Sequence, residues 1–346
     1  MGSKYYDGTK LLSLKDSTGE TPEIFIVDGN RTGGKTTYFS RLLVNRFIKN
    51  NKKFMLVYRY KNELADVSEK FFSDIGSLFF PNYYMEDKSF DKNNFRALYI
   101  NGEHCGFAVS LNSADSVKKQ SHLFNDIDSM FMDEFQSETN TYVSDECTKI
   151  ISIHTSVARG HGKQVRYVPL YMCSNSVSLL NPYYVAFGIS TRLRDDTKFL
   201  RGDGFVLEKN FNETASEAQR TSGFNRAFAG HKYIDYSSQG VYLNDSKAFV
   251  ESPKGNSRYL CTIKYNGREF AIREFADVGI IYCDDKPDRT YPHKFSITTE
   301  DHNVNYVMIK RSDLFVSNMR FFFDRGAFRF KNLICKEAIM NMLAYI

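Results

Sequence analysis

The run Ile24-Phe25-Ile26-Val27-Asp28-Gly29-Asn30-Arg31-Thr32-Gly33-Gly34-Lys35-Thr36 constrains this chain more than any other feature, because an apolar strand feeds straight into a glycine-rich turn. The spacing is G-x-x-x-x-G-K-T, and residues 38–50 continue with Phe39, Leu42, Leu43 and Phe47 on one face of a helix. Strand, glycine turn and helix in that order form a P-loop, a cradle for phosphate groups. Gly29 and Gly34 permit dihedrals and a close approach that a Cβ would block, so the N–H groups along Asn30, Arg31, Thr32 and Gly33 can turn inward around a β-phosphate. The helix opened by Thr36 and Thr37 aims its unpaired N–H groups and positive dipole end at the same anion. Lys35 adds a point charge on the β- and γ-phosphates, and the Thr36 hydroxyl is a ligand for Mg²⁺. The expected cofactors are ATP and Mg²⁺.

What the phosphate energy is used for depends on a second segment, Ile127-Asp128-Ser129-Met130-Phe131-Met132-Asp133-Glu134. Its apolar residues read as a buried strand that carries Asp133 to the carboxyl edge of a sheet, where the second-shell ligand of Mg²⁺ sits in P-loop enzymes. Glu134 stands one step further on the γ-phosphate side, placed to polarise water. An Asp-Glu pair therefore favours a hydrolase with Glu134 as base over a small-molecule kinase, which has no water to activate. A third strand, 165–173, leads to Ser174-Asn175, and Asn175 is expected to sense the γ-phosphate and hold the water. Pro169 inside that run argues against a regular central strand.

The 346 residues suffice for two domains. Up to about residue 200 strands and helices alternate: a strand at 53–58, helices at 62–77 and 137–153, and a hairpin over 95–111 turning at Asn101-Gly102. That alternation implies an α/β fold with a mainly parallel sheet, a P-loop NTPase of the ASCE (catalytic-glutamate) type over 1–200. Gly202, Gly204, Gly223 and Gly230 interrupt a polar stretch read as a connector over 201–239, with helix around 213–226. Residues 240–346 read as a smaller α+β domain, with strands at 259–265, 269–275 and 278–283 and a terminal helix presenting Cys335, Ile339, Met342 and Ile346 on one face. Six cysteines without a CxxC pair suit a reducing compartment, and the opening Met1-Gly2-Ser3-Lys4-Tyr5-Tyr6 has neither an apolar leader segment nor a myristoylation pattern. No apolar stretch approaches membrane-spanning length, so no membrane partner is expected. A net charge of +5 permits a polyanionic partner.

Four blocks together carry a resemblance: the P-loop, Tyr58-Arg59-Tyr60-Lys61-Asn62-Glu63-Leu64-Ala65-Asp66-Val67-Ser68, Phe131-Met132-Asp133-Glu134-Phe135, and Ser174-Asn175-Ser176-Val177-Ser178-Leu179-Leu180-Asn181-Pro182-Tyr183-Tyr184. In this order, over nearly the whole chain, they resemble the DNA packaging (encapsidation) ATPases of small short-tailed phages with protein-primed genomes, relatives of the terminase large subunit. The resemblance implies a homo-oligomeric ring, a pentamer, that docks on the portal of a procapsid in the host cytoplasm and drives double-stranded DNA inward by hydrolysing ATP. It also implies an arginine finger acting across the subunit boundary, at Arg159 in Ser156-Val157-Ala158-Arg159-Gly160, with Lys163 and Arg166 as the alternatives. Lys118 and Lys119 fall near another basic position of the family. DNA grip would come from channel-facing cations that read no sequence, for which Arg59, Lys61 and the stretch 159–166 are open choices.

For the second domain the resemblance implies an RNase H-like fold that does not cut, and attachment to the procapsid, in some members through a structural packaging RNA. A nuclease needs several carboxylates converging on two metal ions, and Asp277, Asp284, Asp285 and Asp288 are close in sequence without a pattern of convergence. Residues 320–331 interleave basic and aromatic side chains as RNA-binding strands do, while Phe328 and Phe330 opposite Arg329 equally describe a half-buried strand. Two other functions share the same motifs: a DNA helicase or segregation-type translocase, and a regulatory nucleotide-binding protein with little turnover.

Overall fold

The computed structural model describes residues 5–66, 68–91, 93–139, 141–160, 162, 164–178, 181–189, 192–193, 197–228, 249–265, 267–310 and 312–344. The chain divides into two units, residues 1–176 with 196–241, and residues 177–195 with 242–346.

The first unit is built on a nine-stranded sheet. After a short helix α1 (Thr9–Leu12), the chain forms β1 (Ile24–Gly29), helix α2 (Lys35–Asn50) and β2 (Lys53–Tyr58). A 3₁₀ turn (Lys61–Asp66), a π turn (Ser68–Ser73) and helix α3 (Asp74–Phe79) replace the continuous helix expected at 62–77. The strands β3 (Met85–Phe90), β4 (Phe95–Ile100) and β5 (Glu103–Ser110) follow, then helix α4 (Ala114–Lys119) and β6 (Ile127–Asp133). Helix α5 (Glu146–Val157), β7 (Leu170–Asn175), β8 (Phe199–Gly202) and β9 (Phe205–Asn210) complete the series. The spatial order is β3-β4-β5-β2-β6-β7-β1-β9-β8. The strands from β5 to β9 in that order run parallel, and the antiparallel pairs lie at the two ends.

Local chemistry accounts for most of these boundaries. Asn101 (φ +51°) and Gly102 (φ +80°) form the left-handed pair that a two-residue hairpin needs, so β4 and β5 meet where the sequence places them. Pro169 stands just outside β7, its carbonyl accepting from Met130 N–H at 2.9 Å, which removes the objection to a central strand. The helix expected from 137 begins only at Glu146, because Ser137 turns the preceding backbone on itself: its Oγ accepts from Thr141 N–H (3.2 Å), and its N–H donates to Tyr142 Oη (3.1 Å). Residues 201–210, read as the start of a connector, form the β8–β9 hairpin, and β9 pairs along the whole of β1. The glycines there serve the turn: Gly204 is left-handed (φ +73°), and a Cβ on Gly202 would stand 1.9 Å from the Phe205 ring. A helix Glu213–Thr221 follows. Residue 240, the expected start of the second domain, lies outside the described residues.

The core of this unit forms where α2 covers the sheet. Phe39, Leu43, Val44 and Phe47 pack on Phe25, Val27, Phe54, Leu56, Phe131 and Tyr171. The Phe39 ring stacks at 5.8 Å on Phe131 and 5.3 Å on Tyr171, tying α2 to β6 and β7.

The second unit carries β10 (Phe249–Val250), β11 (Arg258–Tyr265), β12 (Arg268–Phe275), β13 (Ile280–Asp284), β14 (Lys294–Ser296), β15 (Val307–Met308) and β16 (Phe328–Phe330). Their order is β10-β16-β13-β12-β11-β14-β15. The basic-aromatic stretch 320–331 splits between the end of a helix, Leu314–Asp324, and β16, in which Phe328 and Phe330 are buried. The terminal helix, Leu333–Ala344, buries Cys335, Ile339 and Met342 but also Ala338, Met340 and Leu343, so it is apolar around more of its circumference than a surface helix. Ile346 lies outside the described residues.

Candidate functional site

Neighbouring parallel strands end together at one edge of the first sheet, and their last residues make the site. Register sets Gly29 of β1 level with Asn175 of β7 and with Asn210 of β9, while Asp133 of β6 is level with Cys173. From Gly29 the chain turns through residues 30–34, with Thr32 (φ +60°) and Gly34 (φ +88°) in left-handed conformations, and enters α2 at Lys35. No side chain caps α2 at Gly34, which leaves the N–H groups of its first turn to serve an anion. Gly29 is glycine for a reason other than phosphate approach. A Cβ there would stand 1.7 Å from the Asn210 carbonyl oxygen, so the residue is demanded by the close pairing of β9.

Lys35 is buried, and its Nζ donates to Asn30 O at 2.7 Å and to Asn175 Oδ1 at 3.5 Å. Burial lowers its pKa, while the nearby Cys173, Asp28 and Asp133 pull the other way. Asp133 accepts from the Cys173 thiol (2.9 Å) and from Glu134 N–H (2.9 Å). Burial pushes its carboxyl up, against the hydrogen bonds from Cys173, Thr36 and Glu134 N–H. A half-buried carboxylate beside the hydroxyl of a helix's first turn is an oxygen donor set that suits a hard divalent cation, so these residues fit Mg²⁺. A cavity of about 450 Å³ opens beside them, lined among others by Thr36, Thr37, Arg59, Asp133 and Glu134.

Glu134 reaches solvent from a left-handed backbone (φ +53°), a conformation that costs a non-glycine residue about 1 kcal/mol or more unless its surroundings impose it. Arg59 imposes it. This buried guanidinium donates to Glu134 O (3.2 Å) and Phe135 O (2.6 Å), and its Nε lies 3.2 and 3.1 Å from the two oxygens of Glu146, at the start of α5. The sequence offered Arg59 as a DNA-facing cation; the structure makes it the clamp of the Asp133-Glu134 turn. Crowding around the Glu134 carboxyl raises its pKa, and the charges of Asp133 and Glu138 add to the effect.

Two further latches hold the cradle. Asp28, fully buried, accepts from the Ser176 hydroxyl and from Gln136 Nε2 (3.3 Å), and Gln136 N–H donates to Ser174 Oγ (3.3 Å), so the ends of β1, β6 and β7 are tied together. On the other flank Asn30 and Asn212 exchange hydrogen bonds of 3.0 and 2.9 Å, and Asn212 caps the helix Glu213–Thr221 through Ala215 N–H (2.8 Å). Gln219 donates to the Thr32 hydroxyl at 2.9 Å, and Arg31 pairs with Glu138. Gln136, Glu138, Asn212 and Gln219 had no motif to announce them; the folding of distant segments brings them to the loop.

The basic residues separate by role. Arg166 is internal, its NH2 donating to Val157 O (2.7 Å) and Ile127 O (3.2 Å). Arg159 is exposed just beyond α5, beside Gly160, which packs on Asn125. Asn125 and Ile127 mark the amino end of β6, so Arg159 lies about 20 Å from the chain's own acids by strand rise. Lys163 lies outside the described residues. Lys118 and Lys119 are exposed at the end of α4, and Lys61 donates to Asn94 Oδ1 at 2.9 Å. In the second unit Asp284 pairs with Arg273 (2.7 Å), Asp285 with Lys331, and Asp288 accepts from the Thr290 hydroxyl (2.7 Å). Among the described residues no group of three His, Cys, Asp or Glu side chains could share a metal ion, and no helix is long and apolar enough to cross a membrane.

A family model for the podovirus DNA encapsidation protein (Gp16) matches residues 2–345. The DNA packaging protein of Bacillus phage phi29 is 27% identical over 339 residues, covering 97% of this chain and 96% of that protein. A chain in the structure of the phi29 viral genome packaging motor assembly superposes with a TM-score of 0.61 at 26% identity, covering 98% of this chain and all of its own length. The crystal structure of the N-terminal domain of the phi29 DNA packaging ATPase matches 60% of this chain and 97% of itself, with a TM-score of 0.50 and 28% identity.

Proposed function

Because the chain belongs to the podovirus DNA encapsidation protein family over essentially its whole length, we propose that it is the ATP-hydrolysing motor that packages double-stranded phage DNA into a procapsid. One observation carries the enzymatic part of this reading. The glycine turn, Lys35, the Asp133-Glu134 pair and Asn175 converge on a single sheet edge, with Lys35 Nζ 3.5 Å from Asn175 Oδ1.

On this reading the N–H groups along Asn30, Arg31, Thr32, Gly33 and Gly34 and the first turn of α2 at Lys35, Thr36 and Thr37 hold the phosphates of ATP. Lys35, which donates to Asn30 and Asn175, is placed to turn its charge to the β- and γ-oxygens. Thr36 and Asp133 would hold Mg²⁺, which supplies charge neutralisation on the phosphates. Glu134 takes the proton of the attacking water as Asn175 orients it, and its raised pKa makes it a stronger base than an ordinary glutamate. Arg59 keeps Glu134 aimed through the backbone and touches no reacting atom.

The remaining parts rest on the family. The chains form a ring, pentameric in this reading, in which Arg159 reaches the neighbour's γ-phosphate. Its exposure and its distance from its own acids support action between subunits. The ring sits on the portal vertex in the host cytoplasm, and a structural RNA is a further partner. The first unit is the ATPase domain. The second is RNase H-like, supported by the run β13-β12-β11-β14-β15, an antiparallel meander extended by two parallel strands. Asp284, Asp285 and Asp288 are each engaged in separate local contacts, which supports a domain that does not cut DNA.

The test is Glu134→Gln in the full chain. ATP affinity by calorimetry should stay within a few-fold of the parent, while turnover with DNA and procapsids should fall by 10²–10⁴, the usual contribution of a general base. Undiminished turnover would remove Glu134 from the chemistry.

A further inference from the structure

The strand that carries Asn175 turns one face to α2, with a different chemistry at each step. Side chains alternate along β7, so Tyr171, Cys173 and Asn175 point to the same side of the sheet. Each meets the helix: the Tyr171 ring stacks on Phe39 at 5.3 Å, Cys173 Sγ lies 3.9 Å from Thr36 Oγ1, and Asn175 Oδ1 accepts from Lys35 Nζ at 3.5 Å. β6 faces the same way with Phe131 and Asp133, and register sets Asp133 level with Cys173. Cys173, fully buried, thus stands where the hydrophobic core ends and the polar edge begins.

A thiol suits that boundary, because it packs as a small apolar group and still has an S–H to give. Cys173 gives it to Asp133 Oδ1 at 2.9 Å, and Glu134 N–H reaches the same oxygen at 2.9 Å. Two donors on one oxygen fix the rotation of the planar carboxyl and leave its other oxygen to face a cation. The Glu134 N–H belongs to the adjoining residue and moves with the turn. The thiol is anchored on a neighbouring strand, so its bond ties the carboxyl to the sheet. Cys173 Sγ is therefore in contact with both groups read as holding Mg²⁺, the Thr36 hydroxyl and the Asp133 carboxyl. Partners of this kind orient the groups that hold a metal ion without touching the ion themselves.

We propose that Cys173 is a positioning residue for the metal: its thiol orients the Asp133 carboxyl beside the Thr36 hydroxyl, so that Mg²⁺ strengthens nucleotide binding. This rests on the nucleotide-binding reading above. The thiol contacts neither the phosphates nor the attacking water, so its loss is read in the contribution of the metal and not in affinity for the nucleotide alone.

Calorimetric titration of a non-hydrolysable ATP analogue into the full-length protein, in saturating Mg²⁺ and in EDTA, separates the two. In EDTA, Cys173→Ala should bind the analogue as the parent does, whereas the gain in affinity that Mg²⁺ brings should shrink about tenfold, the lower end of the usual cost of losing a partner of a metal ligand. Cys173→Val, which fills the space without a donor, should match the alanine variant, and Cys173→Ser, which restores a donor, should return towards the parent. An unchanged Mg²⁺ gain in the two donorless variants would overturn the positioning role and leave the phosphate site intact, and so would a serine variant no better than alanine. A parent protein whose affinity for the analogue ignores Mg²⁺ would instead overturn the metal site read at Thr36 and Asp133, and this role with it.

Discussion

Arg59 shows how much of the candidate site's geometry rests on one buried guanidinium. It spans the carbonyls of Glu134 and Phe135 and the buried carboxylate of Glu146. Removing one partner of a buried ion pair strands the other charge, and here it also orphans two carbonyl oxygens. Arg59→Ala should therefore cost about 3–5 kcal/mol in urea unfolding, and turnover should fall in conditions where the protein is still folded and binds ATP. Full turnover in such conditions would show that Glu134 holds its left-handed backbone unaided.

At the scale of elements, α5 is tied to the sheet by an ionisable contact. His154 Nε2 lies 2.9 Å from Val168 O and 3.6 Å from Glu23 Oε1, joining the helix to the segments that open β7 and β1. Burial works against the imidazolium, but Glu23 and the Val168 carbonyl outweigh it, so the folded-state pKa lies above the ordinary 6.5. The charged form is thus favoured more in the folded chain than in the unfolded one. Its stabilisation is complete below the unfolded value and disappears as pH rises through the folded value. The melting-temperature gap between the parent and His154→Leu should narrow as pH rises above the ordinary imidazole value; a gap that widens with pH would assign the stability to the neutral ring.

At the largest scale, the strand order separates residues gathered at one edge of the first sheet from those held at the other. The carboxyl edge gathers the glycine turn, the acids and Asn175 in one chain, while Arg159 stands beyond the opposite edge. On the proposed reading, Arg159 is held too far from its own acids to serve them and would act on a neighbour's site. Mixing Arg159→Ala subunits with Glu134→Gln subunits should restore DNA-dependent turnover that neither has alone, because some interfaces then pair an intact acid with an intact finger. Absence of any rescue would argue against action between subunits.

The sequence by itself determined the elements whose information is local. Gly34 must be left-handed, Asn101-Gly102 must turn, and the apolar runs before Asp28 and Asp133 must be strands whose ends bear polar residues. Those facts mark Lys35, Thr36, Asp133, Glu134 and Asn175 as candidates. What the tertiary structure alone decided is which distant residues stand beside them. The Asn30–Asn212 exchange, the Asp28–Ser176–Gln136 latch, the Arg59 clamp and the need for glycine at position 29 all depend on β9 and β7 lying either side of β1 and on α5 starting at Glu146. Hydrogen bonds and exclusions of this kind act through space between segments more than 70 residues apart in the chain. Spacing within a segment carries no trace of them, and only the pairing of strands brings them into being.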